Sequence, residues 1–217
     1  MTRMTSKMIS DLDRMNEASR RSGGLGTRLD ALEFGSLVAP SAGTVTPLTA
    51  VKYSTHPAVG TATYVHAAIL LIQTVTKDVS TAITNPDYPR IATVKGNGAA
   101  VTGNVVITGT DINGVAITDT IAASGANEVL GVKAFKTITN INVPPYAVAG
   151  TESISIGVGN KIGFPIAVPD ASTVIAKTFD GAADNTTVTV GATAALSLAA
   201  PTGTFNGVKI YELVFLA

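Results

Sequence analysis

The chain has no cysteine and no tryptophan among its 217 residues, and only two histidines, His56 and His66. Without cysteine there is no disulfide framework, no thiolate metal site and no cysteine nucleophile. Charge is also scarce: 14% of residues are Asp, Glu, Lys or Arg, against roughly 25% in a typical soluble domain. The formal net charge is zero, so there is no basic excess for neutralising phosphates, and the expected partners exclude nucleic acid. No apolar run approaches the roughly 20 residues of a membrane helix, and the first residues lack the apolar core of a signal peptide. The expectation is a protein made and kept in solution, without membrane insertion. So little charge also implies that part of its surface is covered by other chains.

What charge there is lies toward the beginning. Residues 1–33 carry 11 charged side chains, and the remaining 184 carry 19. All four methionines lie in the first 15 residues. Met4, Met8, Leu12 and Met15 are spaced 4, 4 and 3 apart, which places them on one face of a helix ending at Gly23-Gly24. A helix this short is marginal alone in water and needs a surface to pack on; a methionine stripe adapts to an imperfect one. These four residues are the candidate docking residues for a neighbouring subunit. Leu25–Phe34 has the makings of a second short helix. Residues 35–50, rich in Pro, Gly, Ser and Thr, read as an extended linker.

From residue 51 the pattern is that of strands. In Asn104–Ile121, Val105, Ile107 and Gly109 alternate with Val106, Thr108 and Thr110; Val115, Ile117 and Ile121 alternate with Ala116, Thr118 and Thr120 on the return. Asn113-Gly114, or the pair one residue earlier, supplies the turn. Further strands are expected over Thr74–Ile83, Lys133–Val143, Ser153–Val158, Thr173–Phe179, Thr186–Val190, Ala194–Leu198 and Val208–Leu216. Tyr64–Gln73 is apolar enough for a buried strand or a short helix. The fold expected is mainly β: an antiparallel β-sandwich or barrel-like domain with a short N-terminal helical arm. The arm is assigned to 1–34, the linker to 35–50 and the β-rich domain to 51–217, with 51–85 as a separate small β subdomain in the alternative division.

No set of side chains converges on a reaction. Acid–base or nucleophilic catalysis needs two or three polar groups brought together, whereas the carboxylates here are scattered over turns. His66 lacks a second histidine or an acid at ligand spacing, and reads as a satisfied core or interface residue. Gly157-Val158-Gly159 through Gly163 has the spacing G-x-G-x-x-x-G without the Gly-Lys-Ser/Thr of a phosphate loop, so a bulged turn is the better reading. Asp180, Asp184 and Asn185 around Gly181 depart from the spacing of a calcium loop and read as a solvated hairpin turn. No catalytic, cofactor-binding or metal-ligating residue is expected, and no cofactor.

Five segments follow one another in an order that points further: HAA (66–68), ITNPDYPR (83–90), VVITGTDINGVAITDTI (105–121), KAFKTITNINVP (133–144) and SISIGVGNKIGFP (153–165). The series, spanning residues 64–180, resembles a group of tailed-bacteriophage virion structural proteins of the head-associated, decoration or cement type. The resemblance implies a non-enzymatic capsid protein, made in the host cytoplasm and located on the virion surface. Its partners would be the major capsid protein and other copies of itself in a homo-oligomer. Two other roles stand as alternatives: a head or tail fibre module that recognises cell-surface glycans through exposed tyrosines such as Tyr88 or Tyr146, and a tail-tube or connector component, which would line a ring with its sheet but usually needs a strongly charged inner face that this sequence does not supply.

Overall fold

In the computed structural model the described residues are 49–145 and 151–217. The helix expected over 1–34, with Met4, Met8, Leu12 and Met15, and the linker up to residue 48 lie outside them, as does Tyr146. The described residues are mainly β, with fourteen strands: β1 (Ala50–Thr55), β2 (His66–Leu70), β3 (Lys77–Val79), β4 (Arg90–Gly96), β5 (Thr102–Thr110), β6 (Ala116–Ser124), β7 (Glu128–Phe135), β8 (Thr137–Val143), β9 (Ser153–Gly163), β10 (Val174–Phe179), β11 (Ala182–Ala183), β12 (Val188–Thr189), β13 (Leu198–Ala199) and β14 (Tyr211–Leu216). All the pairings are antiparallel.

Two sheets form a β-sandwich. One has the order β3-β8-β5-β6; the other runs β9-β4-β7, with β2 added beside the first half of β9 and β13-β12 beside its end. Alternation decides which side chains enter the space between them. Val105 and Ile107 of β5, Ile121 and Ala123 of β6, and Ile138, Ile141 and Val143 of β8 face Ala92 and Val94 of β4 and Ile154, Ile156 and Val158 of β9. The β5–β6 hairpin turns where the sequence places it: the Gly114 N–H donates to the Asp111 carbonyl, and Gly114 takes φ +77°. The Asp111 carboxylate accepts from the Asn113 and Val115 N–H groups, so the turn carries its own cap.

A second core lies beyond the end of β9, covered by the sheet β1-β14-β10-β11. Four of the six phenylalanines meet there with Tyr211. Phe164–Phe215, Phe179–Phe205, Phe179–Tyr211 and Phe205–Tyr211 all pack edge to face, with centroids 5.6–6.3 Å apart. The apolar end of the chain, β14, is the middle of that sheet, zipped between β1 and β10.

Several segments depart from the strands read in the sequence. Lys133–Val143 is not one strand: it breaks at Lys136, where the chain leaves the sheet of β7 for that of β8, and the Lys136 N–H binds the Thr110 carbonyl. The glycine run is no turn. Gly157 and Gly159 lie within the eleven-residue β9. A Cβ on Gly157 would stand 2.1 Å from the Thr61 carbonyl oxygen, and one on Gly159 would strike Ile91. The expected bulge does occur, as a register shift between β4 and β9 on either side of Ile91. Of Thr74–Ile83 only Lys77–Val79 is strand, and Ala194–Leu196 is a turn of 3₁₀ helix before β13. Tyr64–Gln73 resolves as the strand β2, irregular at Ala68.

Two buried charges hold this arrangement. Arg90, fully buried at the start of β4, donates from Nε and Nη2 to the Gly159 carbonyl (3.0 and 2.7 Å) and from Nη1 to the Ala58 carbonyl (2.8 Å). Its guanidinium lies 5.5 Å from the centre of the Phe205 ring and 3.5 Å from Asp87 Oδ1. Asp119, inward-facing on β6, accepts from the Val132 and Lys133 N–H groups (2.8 and 3.1 Å) at the bulge where β7 loses register with β4.

Removing either group leaves buried polar atoms without partners. Arg90→Ala is expected to cost about 3–5 kcal/mol in urea unfolding, the range for breaking one side of a buried charge network. Asp119→Ala is expected to cost about 2–3 kcal/mol and Asp119→Asn, which keeps one acceptor oxygen, about half that. Equal losses for the two Asp119 variants would show that the carboxylate's hydrogen bonds to β7 are not what stabilises this corner.

Candidate functional site

Of the residues that the sequence singles out for chemistry, most serve the scaffold. Beyond Glu33 the chain has 19 charged residues, and four of them, Arg90, Asp111, Asp119 and Asp184, are buried. Three of these four are absorbed by backbone hydrogen bonds in full view of neighbouring strands or turns. Asp184 is only half satisfied. Its Oδ1 accepts from the Thr186 N–H, whereas its Oδ2 and the Tyr211 hydroxyl are buried without a hydrogen-bond partner among the described residues. Gly181 follows Asp180 at φ +80° and +54°, a tight β10–β11 hairpin as the sequence suggests, and Asp184 lies beyond it inside the fold. Among the described residues, no three His, Asp or Glu side chains are grouped so as to hold a metal ion.

The two histidines take different roles. His56 follows β1 and is exposed, its ring edge-on to Tyr88 with centroids 5.4 Å apart and its Nδ1 2.9 Å from the tyrosine hydroxyl. Tyr88 belongs to the Asn85–Arg90 turn, which several hydrogen bonds fix. Asp87 accepts from the Ala58 and Tyr88 N–H groups, Asn85 Oδ1 accepts from the Ile138 N–H, and the Lys136 ammonium donates to the Asp87 carbonyl. Tyr88 is thus a rigid, half-buried surface aromatic beside an imidazole. His66 begins β2; it is partly exposed rather than in the core, with Nδ1 2.6 Å from the Ala67 carbonyl. A carbonyl only accepts, so Nδ1 carries the proton.

The exposed surface carries several large aliphatic side chains. Leu70, Val75, Val115, Leu130, Val132, Ile175 and Val208 are each more than half exposed. Leu130 and Val132 lie on the outer side of β7, and Val115 at the tip of the β5–β6 hairpin. On the outer face of β3-β8-β5-β6 the side chains are short and uncharged apart from Asp78: Asn140 and Asn142 from β8, Thr108 and Thr110 from β5, Thr118 and Thr120 from β6. Asp78 Oδ1 accepts from both asparagine amides at 3.0 Å, and these bonds hold its carboxyl below the usual carboxylate range. Sequence reading missed the Asp78–Asn140–Asn142 group, although Asn-Ile-Asn alternation in β8 put both amides on one face.

Two tyrosines report on the second core. Burial pushes the Tyr53 hydroxyl up to about 12, helped by the nearby Tyr88, and pushes Tyr211 higher still, with Asp184 adding to the rise. A phenol that resists ionisation only when folded contributes stability that is complete below about pH 10 and declines as the unfolded chain ionises above it. Thermal melts are therefore expected to hold their midpoint up to about pH 10 and fall steadily toward pH 12, with Tyr53→Phe showing a shallower fall. An unchanged slope in that variant would remove Tyr53 from the account.

No protein-family model, no curated protein and no solved structure matches this chain.

Proposed function

We propose that this protein is a non-enzymatic structural component of a tailed-phage virion: a capsid decoration or cement protein that binds the assembled head and bridges neighbouring subunits. The observation that carries the reading is the surface. Seven aliphatic side chains are more than half exposed on a domain that spends four of its few charges in the interior. Depletion of charge is characteristic of the centres of protein–protein contacts, where exposed aliphatic side chains become buried. The segments that resemble phage head proteins supply most of β5, β6, β8 and β9, parts of β2 and β7, and the Asn85–Arg90 turn.

The mechanism under this reading is linkage. A protein that binds the closed shell and not its dissociated subunits stabilises the shell in proportion to how far its concentration exceeds the dissociation constant. Met4, Met8, Leu12 and Met15 are the residues proposed to grip a neighbour, while the sandwich covers the outer surface. A homo-oligomer with closed symmetry suits attachment at a symmetric position on a lattice.

The experiment compares the full chain with a truncation starting at Ala39, each added to purified heads that lack the protein. The full chain is expected to decorate the heads and raise the temperature at which they rupture, and the truncation to bind more weakly or not at all. If neither form binds heads, the decoration reading fails. If both bind equally, the docking role of the four N-terminal residues fails while decoration stands.

A further inference from the structure

The turn that closes the β5–β6 hairpin has a reactivity of its own. In an Asn-Gly pair the backbone nitrogen of the glycine can attack the amide carbon Cγ of the asparagine, because no Cβ on the glycine stands in the way. The new N–Cγ bond closes a succinimide ring and the glycine N–H proton passes to solvent. The Cγ–Nδ2 bond breaks, and Nδ2 takes a proton from solvent and leaves as ammonia. Water then opens the ring at either carbonyl, giving aspartate or, with the backbone rerouted through Cγ, isoaspartate. The sequence holds three such pairs, Asn97-Gly98, Asn113-Gly114 and Asn206-Gly207, and all three asparagines are exposed.

The fold holds the three differently. Asn97 is clamped at both ends of its amide: Oδ1 accepts from the Ser153 N–H at 3.0 Å, and Nδ2 donates to the Thr151 carbonyl at 2.9 Å. Turning its Cγ toward the Gly98 nitrogen breaks both bonds and takes that acceptor from the N–H of a buried residue. At Asn206, Oδ1 accepts from the Val208 and Lys209 N–H groups at 3.0 and 2.8 Å. The attacking group there, the Gly207 N–H, is itself held by the Pro57 carbonyl at 2.8 Å. Asn113 is the least restrained. Its Oδ1 accepts no hydrogen bond among the described residues, and its Nδ2 meets the half-buried Pro165 carbonyl at 3.2 Å, the long end of the N–H···O range. The Gly114 N–H bond to the Asp111 carbonyl, 3.1 Å, lies within the turn. A Cβ placed on Gly114 would find nothing within 4 Å, so the tip stands clear of its neighbours.

We infer that Asn113-Gly114 is a self-modification site, where the neutral tip of the β5–β6 hairpin converts to an aspartyl and isoaspartyl one while the fold spares Asn97 and Asn206. Losing one buried hydrogen bond, or two exposed ones, before attack slows a reaction by about tenfold, and that is the separation expected between Asn113 and the other two. The product changes the turn that forms it. A carboxylate at position 113 stands beside the buried Asp111, whose Oδ1 holds the Asn113 and Val115 N–H groups. An isoaspartyl linkage adds a backbone methylene between those two donors. Val115, 58% exposed at this tip, then borders on negative charge. Conversion takes place in the isolated chain and does not depend on the decoration role.

The test incubates the full-length protein in mildly alkaline buffer, folded and, in parallel, unfolded in guanidinium chloride. Samples taken over time are digested, and the peptides carrying the three Asn-Gly pairs are followed by chromatography and mass spectrometry, which separate the asparagine, aspartate and isoaspartate forms. In the folded protein Asn113 is expected to convert about tenfold faster than Asn97 and Asn206, and in denaturant the three rates are expected to converge. Asn113→Ser, whose side chain has no amide carbon to attack, is expected to remove most of the isoaspartate that the folded protein forms. Two results would overturn the inference: a folded Asn113 that converts no faster than the other two, or the same order of rates retained in denaturant, which would make the local sequence rather than the fold the cause. Head binding plays no part in the readout, so the decoration reading stands or falls separately.

Discussion

The structure depends on one buried cation. Arg90 lies where the sandwich core gives way to the aromatic core, and its five N–H donors are what allow three separate pieces of chain to meet there. The bulge of β9 offers the Gly159 carbonyl, the loop after β1 offers the Ala58 carbonyl, and the Asn85–Arg90 turn offers Asp87. Phe205 of the second core covers the guanidinium face. Burial pulls the group below its ordinary value while Asp87 pulls the other way, and a guanidinium stays charged through both. Taking such a charge out of water is costly, so it persists only where nearly every donor has an acceptor. Gly60 shows how tight the fit is: a Cβ there would lie 2.5 Å from the Val158 carbonyl oxygen and 2.7 Å from Nη2 of Arg90.

The second constraint is the cost of leaving backbone groups unpaired where strands bend. A closed stack of sheets needs bulges, and each bulge exposes N–H groups that the neighbouring strand no longer meets. Here side chains from elsewhere fill the gaps: Asp119 at the β7 bulge, and Asn85 at the N–H of Ile138, where β8 shifts register against β5. That shift changes the phase of alternation, so Ile138 and Ile141, three residues apart, both point inward. Several of the charged and amide groups of the domain are thus spent on its own backbone. The outer surface carries aliphatic and hydroxyl side chains beside the remaining charges, and its exposed aliphatic groups are what the proposed decoration role draws on.

Much of the architecture was legible in the residues. The β5–β6 hairpin, its turn and the terminal apolar strand all follow from period-two alternation and turn chemistry, because those signals are local. The failures have local causes too. Lys133–Val143 alternates throughout, and nothing in its pattern marks Lys136 as the point where the chain changes sheets. The glycines of β9 resemble a turn to any reading based on propensity; they are in fact a strand whose neighbours come too close for a side chain. Asp78 lies 62 and 64 residues before Asn140 and Asn142, so only the pairing of β3 with β8 brings it to them.

Composition and alternation by themselves determined that this chain is a charge-poor antiparallel β protein with no thiol chemistry, because residue type and period are properties of the chain alone. Which strands became neighbours, and therefore which corner closed over Asp119, was decided by the tertiary structure. Those outcomes rest on register, and register is settled by which buried groups find partners across the fold. Arg90, Asp119 and Asp78 are each unremarkable in sequence. They acquire their roles from carbonyls, amides and N–H groups that the folded chain places within 3.1 Å of them.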